Sequence, residues 1–402
     1  MMAKAMRIGI VGCGFTAEHY MLSLTRYPEL QLIGATDRDT QRAATFSSHF
    51  KMKHYKDLAE MLADPGIEMV LNLTNSSSHY EVSKPTLEAG KHLFTEKPLA
   101  LKFEQAQELV DLARAKGLGL SMAPCNLLGE SAQTIWKALR NNEIGPVHVA
   151  LAELDDGPFH LANPDTWRSE TGAPYDYREE FRVGVTVEHS PYHLSLLTAF
   201  FGPAKTITPF SAVVWPDKPI SPQERLTVTT PDFSVSCITF ETGVVARLTC
   251  SLVSPYSHMF RLIGDTGTIT VNESWNYAAP VYLDRFSSFR YRAERYSITK
   301  EHPILKNMVG KHPRVYPPVV KTTLKQRNAR YRMDYARGVV DLVRAIDRGG
   351  QPKLAPDFCL HLTELGLAIQ KADPGPYQVK TTFAPVQPLD EAALQELRKM
   401  KW

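Results

Sequence analysis

The sequence predicts an α/β protein: a doubly wound parallel sheet, then an α/β domain on a large, mostly antiparallel open sheet. Three observations predict it. From Arg7 to Met122 short apolar runs alternate with helical patterns, the rhythm of βαβ units. A glycine-bounded turn, Gly12-Cys13-Gly14, stands between the first apolar run and the first helix. After Pro146 short strands follow one another, divided by turns such as Glu241-Thr242-Gly243 and Gly264-Asp265-Thr266-Gly267. A chain of 402 residues exceeds one core. The division is placed at residue 124, giving domains 1–124 and 125–402.

The elements follow in order. Arg7–Val11 reads as a buried parallel strand, because only Gly9 interrupts its apolar residues. Thr16–Tyr27 is a helix ending before Pro28, and Leu30–Thr36 a second strand ending at Asp37. Helices are expected at 41–50 and 57–64, the latter stopped by Pro65-Gly66. Met69–Thr74, His92–Thr95 and Leu118–Met122 complete the strands, with helices at Tyr80–Ala89 and Phe103–Ala115 between them. A linking helix spans Ser131–Asn141. Val147–Leu154, Val235–Phe240, Val244–Val253, Phe260–Ile263 and Thr268–Val271 are the expected strands of the second sheet. Helices at Met333–Asp347 and Asp357–Lys371 are expected to flank that sheet, and a charged helix covers Asp390–Lys399. Ser287–Thr323 carries no period and stands as a long excursion.

Composition narrows the function. A net charge of +3 gives no pull toward nucleic acid or a membrane surface. The basic clusters at Arg290–Arg295 and Lys325–Arg332 are mixed with tyrosines and read as solvated faces. Five widely spaced cysteines without C-x-x-C argue against a disulfide framework and a zinc ribbon. No apolar run reaches membrane-spanning length, and Met1–Met6 is too short for a signal core, so a reducing cytoplasm is the expected compartment.

Gly12-Cys13-Gly14-Phe15-Thr16-Ala17 is G-x-G-x-x-A between a strand and a helix. Gly12 permits the tight turn, Gly14 lets a pyrophosphate approach the backbone, and small Ala17 lets helix and strand pack closely. The helix start offers free N–H groups and a positive dipole end. Asp37, twenty residues past Ala17, is placed to take ribose hydroxyls. Arg38 beside it is suited to a 2′-phosphate, so NAD and NADP both stay open, NAD slightly favoured. Lys97 follows the fourth predicted strand and points into the crevice where such sheets bind ligands.

These residues, with Thr74-Asn75-Ser76-Ser77-Ser78-His79 and Glu96-Lys97-Pro98, resemble the Gfo/Idh/MocA family of nicotinamide-dependent oxidoreductases. Asn75 stands where the family has proline. The resemblance implies a Rossmann domain joined to an open-sheet substrate domain, with Phe15 and Thr16 on the pyrophosphate. It implies that Thr74, Asn75, His79, Glu96 and Lys97 line the cofactor site. It also implies that Lys97 lies near nicotinamide and substrate hydroxyl, with Lys97–Pro98 cis. In this resemblance His193 matches the family histidine and His189 occupies the place of its aspartate. Glu188 then falls one step out of register. Trp167, Arg168, Glu188, His189 and Tyr192 are the expected substrate contacts. His189 and His193, i and i+4 on a helix, also raise a metal reading; no metal is the expectation.

The expected activity is hydride transfer between the dinucleotide and a secondary alcohol or ketone of a sugar, cyclitol or related polyol. His193 is the expected general base, and Lys97 holds the same oxygen, with a lowered pKa that makes it a second candidate. Two rivals stay open: an NAD-dependent glycosidase working by transient sugar oxidation, and a catalytically silent dinucleotide sensor. The open sheet predicts a homodimer or homotetramer.

Overall fold

In the computed structural model, which describes residues 5–288, 313–328, 333–399 and scattered positions between 292 and 304, the first sheet is wholly parallel. Its strands are β1 (Met6–Val11), β2 (Leu30–Thr36), β3 (Lys53–His54), β4 (Met69–Asn72), β5 (His92–Thr95) and β6 (Leu120–Met122), in the order β3-β2-β1-β4-β5-β6. The two-residue edge strand β3 was not expected; it is too short to carry a pattern. Ile8, Ile10, Met69, Leu71 and Leu93 are fully buried, as strands covered on both faces require. The crossover helices are α1 (Phe15–Leu24), α2 (Thr40–His49), α3 (Leu58–Ala63), α4 (His79–Glu88) and α5 (Phe103–Ala115). Asp39 caps α2 by accepting from the Arg42 N–H, and Asp57 caps α3 by accepting from the Glu60 N–H. Strand order reverses between β1 and β4, which opens a crevice at their carboxyl ends.

After α6 (Glu130–Arg140) the chain builds a second sheet. Among the described residues its strands are β7 (Val147–Asp155), β8 (Ala204–Ala212), β11 (Phe233–Phe240), β12 (Val245–Ser251), β13 (Phe260–Gly264), β14 (Gly267–Val271), β15 (Tyr282–Arg285), β16 (Arg314–Val315) and β17 (Tyr377–Gln378). The hairpin β9 (Asp217–Ser221) and β10 (Glu224–Thr227) stands apart. The sheet is mixed, because β7 and β12 run parallel at its centre. Along β12, Ala246, Leu248 and Cys250 are buried while Val245 and Arg247 are exposed, the alternation of a half-covered sheet. Its inner face is covered by α8 (Val185–Phe201), which follows α7 (Tyr177–Val183), and by α10 (Pro356–Lys371), beyond α9 (Ala336–Asp347). A last helix, α11, spans Glu391–Lys399.

Only one of the two late helices flanks this sheet. Ala336, Val339, Val340, Leu342 and Val343 of α9 pack instead with Ile8, Ile10, Leu24, Met69 and Leu71. The core of the parallel sheet is thus completed from the far end of the chain. Arg337 fixes the return: it donates two parallel bonds to Glu130 at 3.0 and 3.1 Å, a third to the Leu128 carbonyl, and lies 3.3 Å from Asp334. Of the excursion Ser287–Thr323, residues 305–312 and several between 289 and 303 lie outside the described residues, as do most of the basic clusters at 290–295 and 325–332; within the excursion, β16 pairs with β15.

Arg337 and Glu130 are 4% and 2% exposed, and removing one partner strands the other charge in the interior. Glu130→Ala is expected to lower the unfolding free energy by about 3 kcal/mol, read as a lower urea midpoint.

Candidate active site

The crevice holds a cavity of about 780 Å³ walled by both halves of the chain. Its floor is the β1–α1 turn. Gly12 has φ +95°, and a Cβ there would sit 2.6 Å from the Leu73 carbonyl oxygen, so the turn admits only glycine. A Cβ on Gly14 would meet nothing within 4 Å: the space before it is open. Gly14 begins α1 without a side-chain cap, which leaves the first N–H groups of the helix for a ligand. Phe15 and Thr16 line the cavity, and Ala17 is fully buried. At the end of β2, Asp37 accepts from the Cys13 N–H at 2.8 Å and the Asp39 N–H at 2.9 Å while lining the cavity. Arg38 lines it too, and so does Arg42, 3.8 Å from Asp37. Arg42 escaped sequence reasoning; the Asp39 cap that starts α2 puts it one turn in.

The Thr74–His79 loop forms the opposite bank. Asn72 fixes it by accepting from the Thr74 hydroxyl at 2.6 Å and donating to the His79 carbonyl at 3.0 Å. The His79 ring reaches the Pro98 carbonyl at 2.6 Å and the Thr74 carbonyl at 3.0 Å, and burial pushes its pKa down. It fastens the loop to the Lys97-Pro98 turn, whose bond is cis.

Lys97 stands where the two halves meet. Its Nζ lies 2.6 Å from Glu188 Oε2, and the other oxygen of Glu188 accepts from Ser76 at 2.6 Å. Glu96 accepts from Tyr20 at 2.6 Å and from the Lys97 N–H at 3.2 Å. The Tyr192 ring is 6.0 Å from Lys97 Nζ and packs on Trp275. Burial works against the ammonium, yet Glu188, Glu96 and Glu180 outweigh it, so the lysine pKa is raised rather than lowered as expected.

The register of α8 differs from the expected one by a single residue. The pair that meets Lys97 is Glu188 and Tyr192, i and i+4 on one face. His193 does not reach the crevice. It is fully buried, stacked on Phe260, and its Nε2 lies 3.0 Å from Ser274. Burial, then the charge of His258, holds its pKa near 3, which denies it a proton at neutral pH. His189 lies between two carboxylates, 2.7 Å from Asp156 and 2.6 Å from Glu180. Burial opposes its charge, but both acids outweigh it and push its pKa up to about 10. Asp156 continues at 2.7 Å to His258, itself 3.0 Å from Glu273.

The remaining wall comes from residues 156–184. Arg168 lines the cavity, but its Nη1 donates to the Asp165 and Trp167 carbonyls. Trp167 packs on Tyr175 and Phe159. Tyr175 donates to Glu180 at 3.0 Å. Sequence reasoning missed Tyr175 and Glu180, which carry no motif. It also missed Glu18, which binds this segment from α1.

A family model described as the NAD-binding Rossmann fold of the oxidoreductase family Gfo/Idh/MocA matches residues 6–123, and the family's C-terminal domain matches 132–270. The chain belongs to the Gfo/Idh/MocA family. It is 27% identical over 275 residues to trans-1,2-dihydrobenzene-1,2-diol dehydrogenase of Mus musculus, covering 67% of this chain and 76% of the relative. Two solved structures are similar in fold. The WlbA dehydrogenase of Bordetella pertussis, in complex with NADH and UDP-GlcNAcA, has a TM-score of 0.68 at 15% identity, over 94% of this chain and 99% of that one. A 3-ketoreductase of Actinomadura kijaniata, in complex with NADP, has a TM-score of 0.66 at 18% identity, over 92% and 98%. This Gfo/Idh/MocA chain is therefore an NAD(P)-binding oxidoreductase. The open space at Gly14, the uncapped start of α1 and the Asp37 carboxylate fit a dinucleotide. Among the described residues no helix is long and apolar enough to cross a membrane.

Gly14→Ala puts a methyl group into the cradle where it meets no protein atom within 4 Å. It is expected to leave the melting temperature unchanged and to weaken NADH or NADPH binding roughly tenfold or more, read by fluorescence titration.

Proposed function

We propose that this chain transfers a hydride between a nicotinamide dinucleotide and a secondary alcohol or ketone of a sugar, cyclitol or related polyol. The observation that carries this is the Lys97 ammonium, held by Glu188 in the same cavity as the dinucleotide cradle. The bound dinucleotide supplies or accepts the hydride. Lys97 holds the substrate oxygen. In reduction it gives that oxygen a proton; in oxidation it takes the hydroxyl proton after passing its own to Glu188. Tyr192, whose pKa burial and then nearby acids raise well above the usual value, stays a neutral hydroxyl donor beside it. This assignment moves the base from His193 to Lys97.

The acidic lining of the cavity favours a neutral polyol over an anionic substrate. It carries Asp165, Asp176, Glu179, Glu180, Glu188 and Glu224. Its cations are engaged: Arg178 with Glu224 at 2.7 Å, Arg168 with two carbonyls, Lys97 with Glu188. WlbA is described in complex with NADH and UDP-GlcNAcA; here Arg168 and Arg178 already hold protein partners. Carboxylates are natural acceptors for sugar hydroxyls. We also assign the chain to a reducing cytoplasm, in keeping with five unpaired cysteines, and to a homodimer or homotetramer through the exposed sheet face.

A panel of free sugars, cyclitols and their ketones, with trans-dihydrobenzenediol, tests this reading by formation or consumption of NAD(P)H. Cleavage without net cofactor reduction favours the glycosidase route instead. Lys97→Met is expected to lose turnover by at least about a thousandfold with dinucleotide binding intact; near-wild-type rates overturn the assignment. In Glu188→Gln the lysine loses the charge that raises its pKa. The ammonium then deprotonates at lower pH, so the alkaline limb of the ketone-reduction profile moves to lower pH.

A further inference from the structure

Residues 156–184 span the dinucleotide groove and are tied to the first domain on both banks. On the α1 bank the carboxylate of Glu18, 8% exposed, accepts from the Ser169 hydroxyl at 2.5 Å, from the Glu170 and Thr171 N–H groups at 2.7 and 3.1 Å, and from the Thr171 hydroxyl. On the other bank Asn75 donates to Asp176 at 2.7 Å, and the Ser77 N–H to Glu179 at 3.1 Å. Between the banks Arg168, Pro174 and Tyr175 line the cavity, and Tyr175 rests edge-on against Phe15, 5.5 Å away. The span is bounded by Gly157 and Gly184, with Gly172 beside the Glu18 contact; their φ values are +74°, +101° and +87°.

We propose that this segment is a gate over the dinucleotide and that Glu18 is its latch. The inference rests on the dinucleotide reading of the cavity and goes beyond it to how the cofactor enters and leaves. Glu18 sits one residue past Ala17, on the helix whose start forms the cradle. Among the described residues its hydrogen bonds run to the segment that covers that cradle, so a charged acceptor serves the cover rather than its own domain. Charge-assisted bonds hold the gate shut, and each can be exchanged for water when it lifts. Glycines at both ends and at the latch supply the backbone freedom for that movement. Glu18 is a positioning residue: it acts on the dinucleotide through the segment it holds.

The test is stopped-flow NADH and NADPH fluorescence on the full chain. It compares wild type with Glu18→Ala, and with Thr171→Val, which leaves α1 intact. A gate slows both directions of passage. Glu18→Ala is therefore expected to raise association and dissociation rates together, the latter roughly tenfold to a hundredfold, and Thr171→Val to raise both by less. Melting curves without dinucleotide establish that each variant is folded; if Glu18→Ala is not, Thr171→Val decides. Unchanged rates in a folded variant overturn the gate. So does faster dissociation alone, since that is the mark of a lost contact with the ligand. Uptake of neither dinucleotide by the wild type overturns the cofactor reading itself, and the gate with it.

Discussion

An ammonium withdrawn from water must meet a carboxylate, and around Lys97 that demand sets much of the architecture. Glu188 answers it from a helix 91 residues further on, so the pair that neutralises the lysine also sutures the two halves of the chain. Ser76 takes the second oxygen of Glu188 and draws the Thr74–His79 loop to the same point. Glu96 binds Tyr20 and the Lys97 backbone, which fixes α1 against the end of β5. One buried charge thus aligns the β1–α1 region, the loop opposite and α8. Burying such a charge costs more than the pair returns in stability; the return is position.

The same logic runs through the carboxylate–imidazole row behind the cavity. Glu180, His189, Asp156, His258 and Glu273 alternate in sign at 2.6–3.0 Å. Each histidine has its pKa raised by the two acids that flank it, and Asp156 is shared between both. Of these acids Glu180 lines the cavity, and His189 offsets its charge there.

How far the sequence disclosed this depended on how local each signal was. The parallel sheet was legible because buried strands are continuous apolar runs and its turns are punctuated by glycine. The second sheet was legible in part. β8, β15, β16 and β17 were not expected, nor was the separate hairpin β9–β10, since mixed polar strands such as Ala204–Ala212 carry no clean alternation and two-residue strands carry no pattern. Helix α8 misled for a definite reason. It is buried on nearly every side, so no polar stripe announces its active face, and Glu188–Tyr192 and His189–His193 form two i, i+4 pairs one residue apart. A usable signal was present: a buried lysine needs an acid, and Glu188 is the sole acid between Val185 and Phe201. The Glu18 contact had no local signal at all, because its partners lie some 150 residues away.

The return of α9 to the first core bears on how the protein is made. A ribosome delivers the parallel sheet early, with β1 to β6 complete by Met122. The surface that Val339, Leu342 and Val343 will cover is then bare. It remains so while β7 to β16 are synthesised, and an exposed apolar sheet is what holdase chaperones recognise and what aggregation exploits. The nucleotide-binding sheet precedes the second sheet along the chain, yet its core is completed only after β16. A nascent chain stalled before Ala336 would leave the cell with a half-covered core.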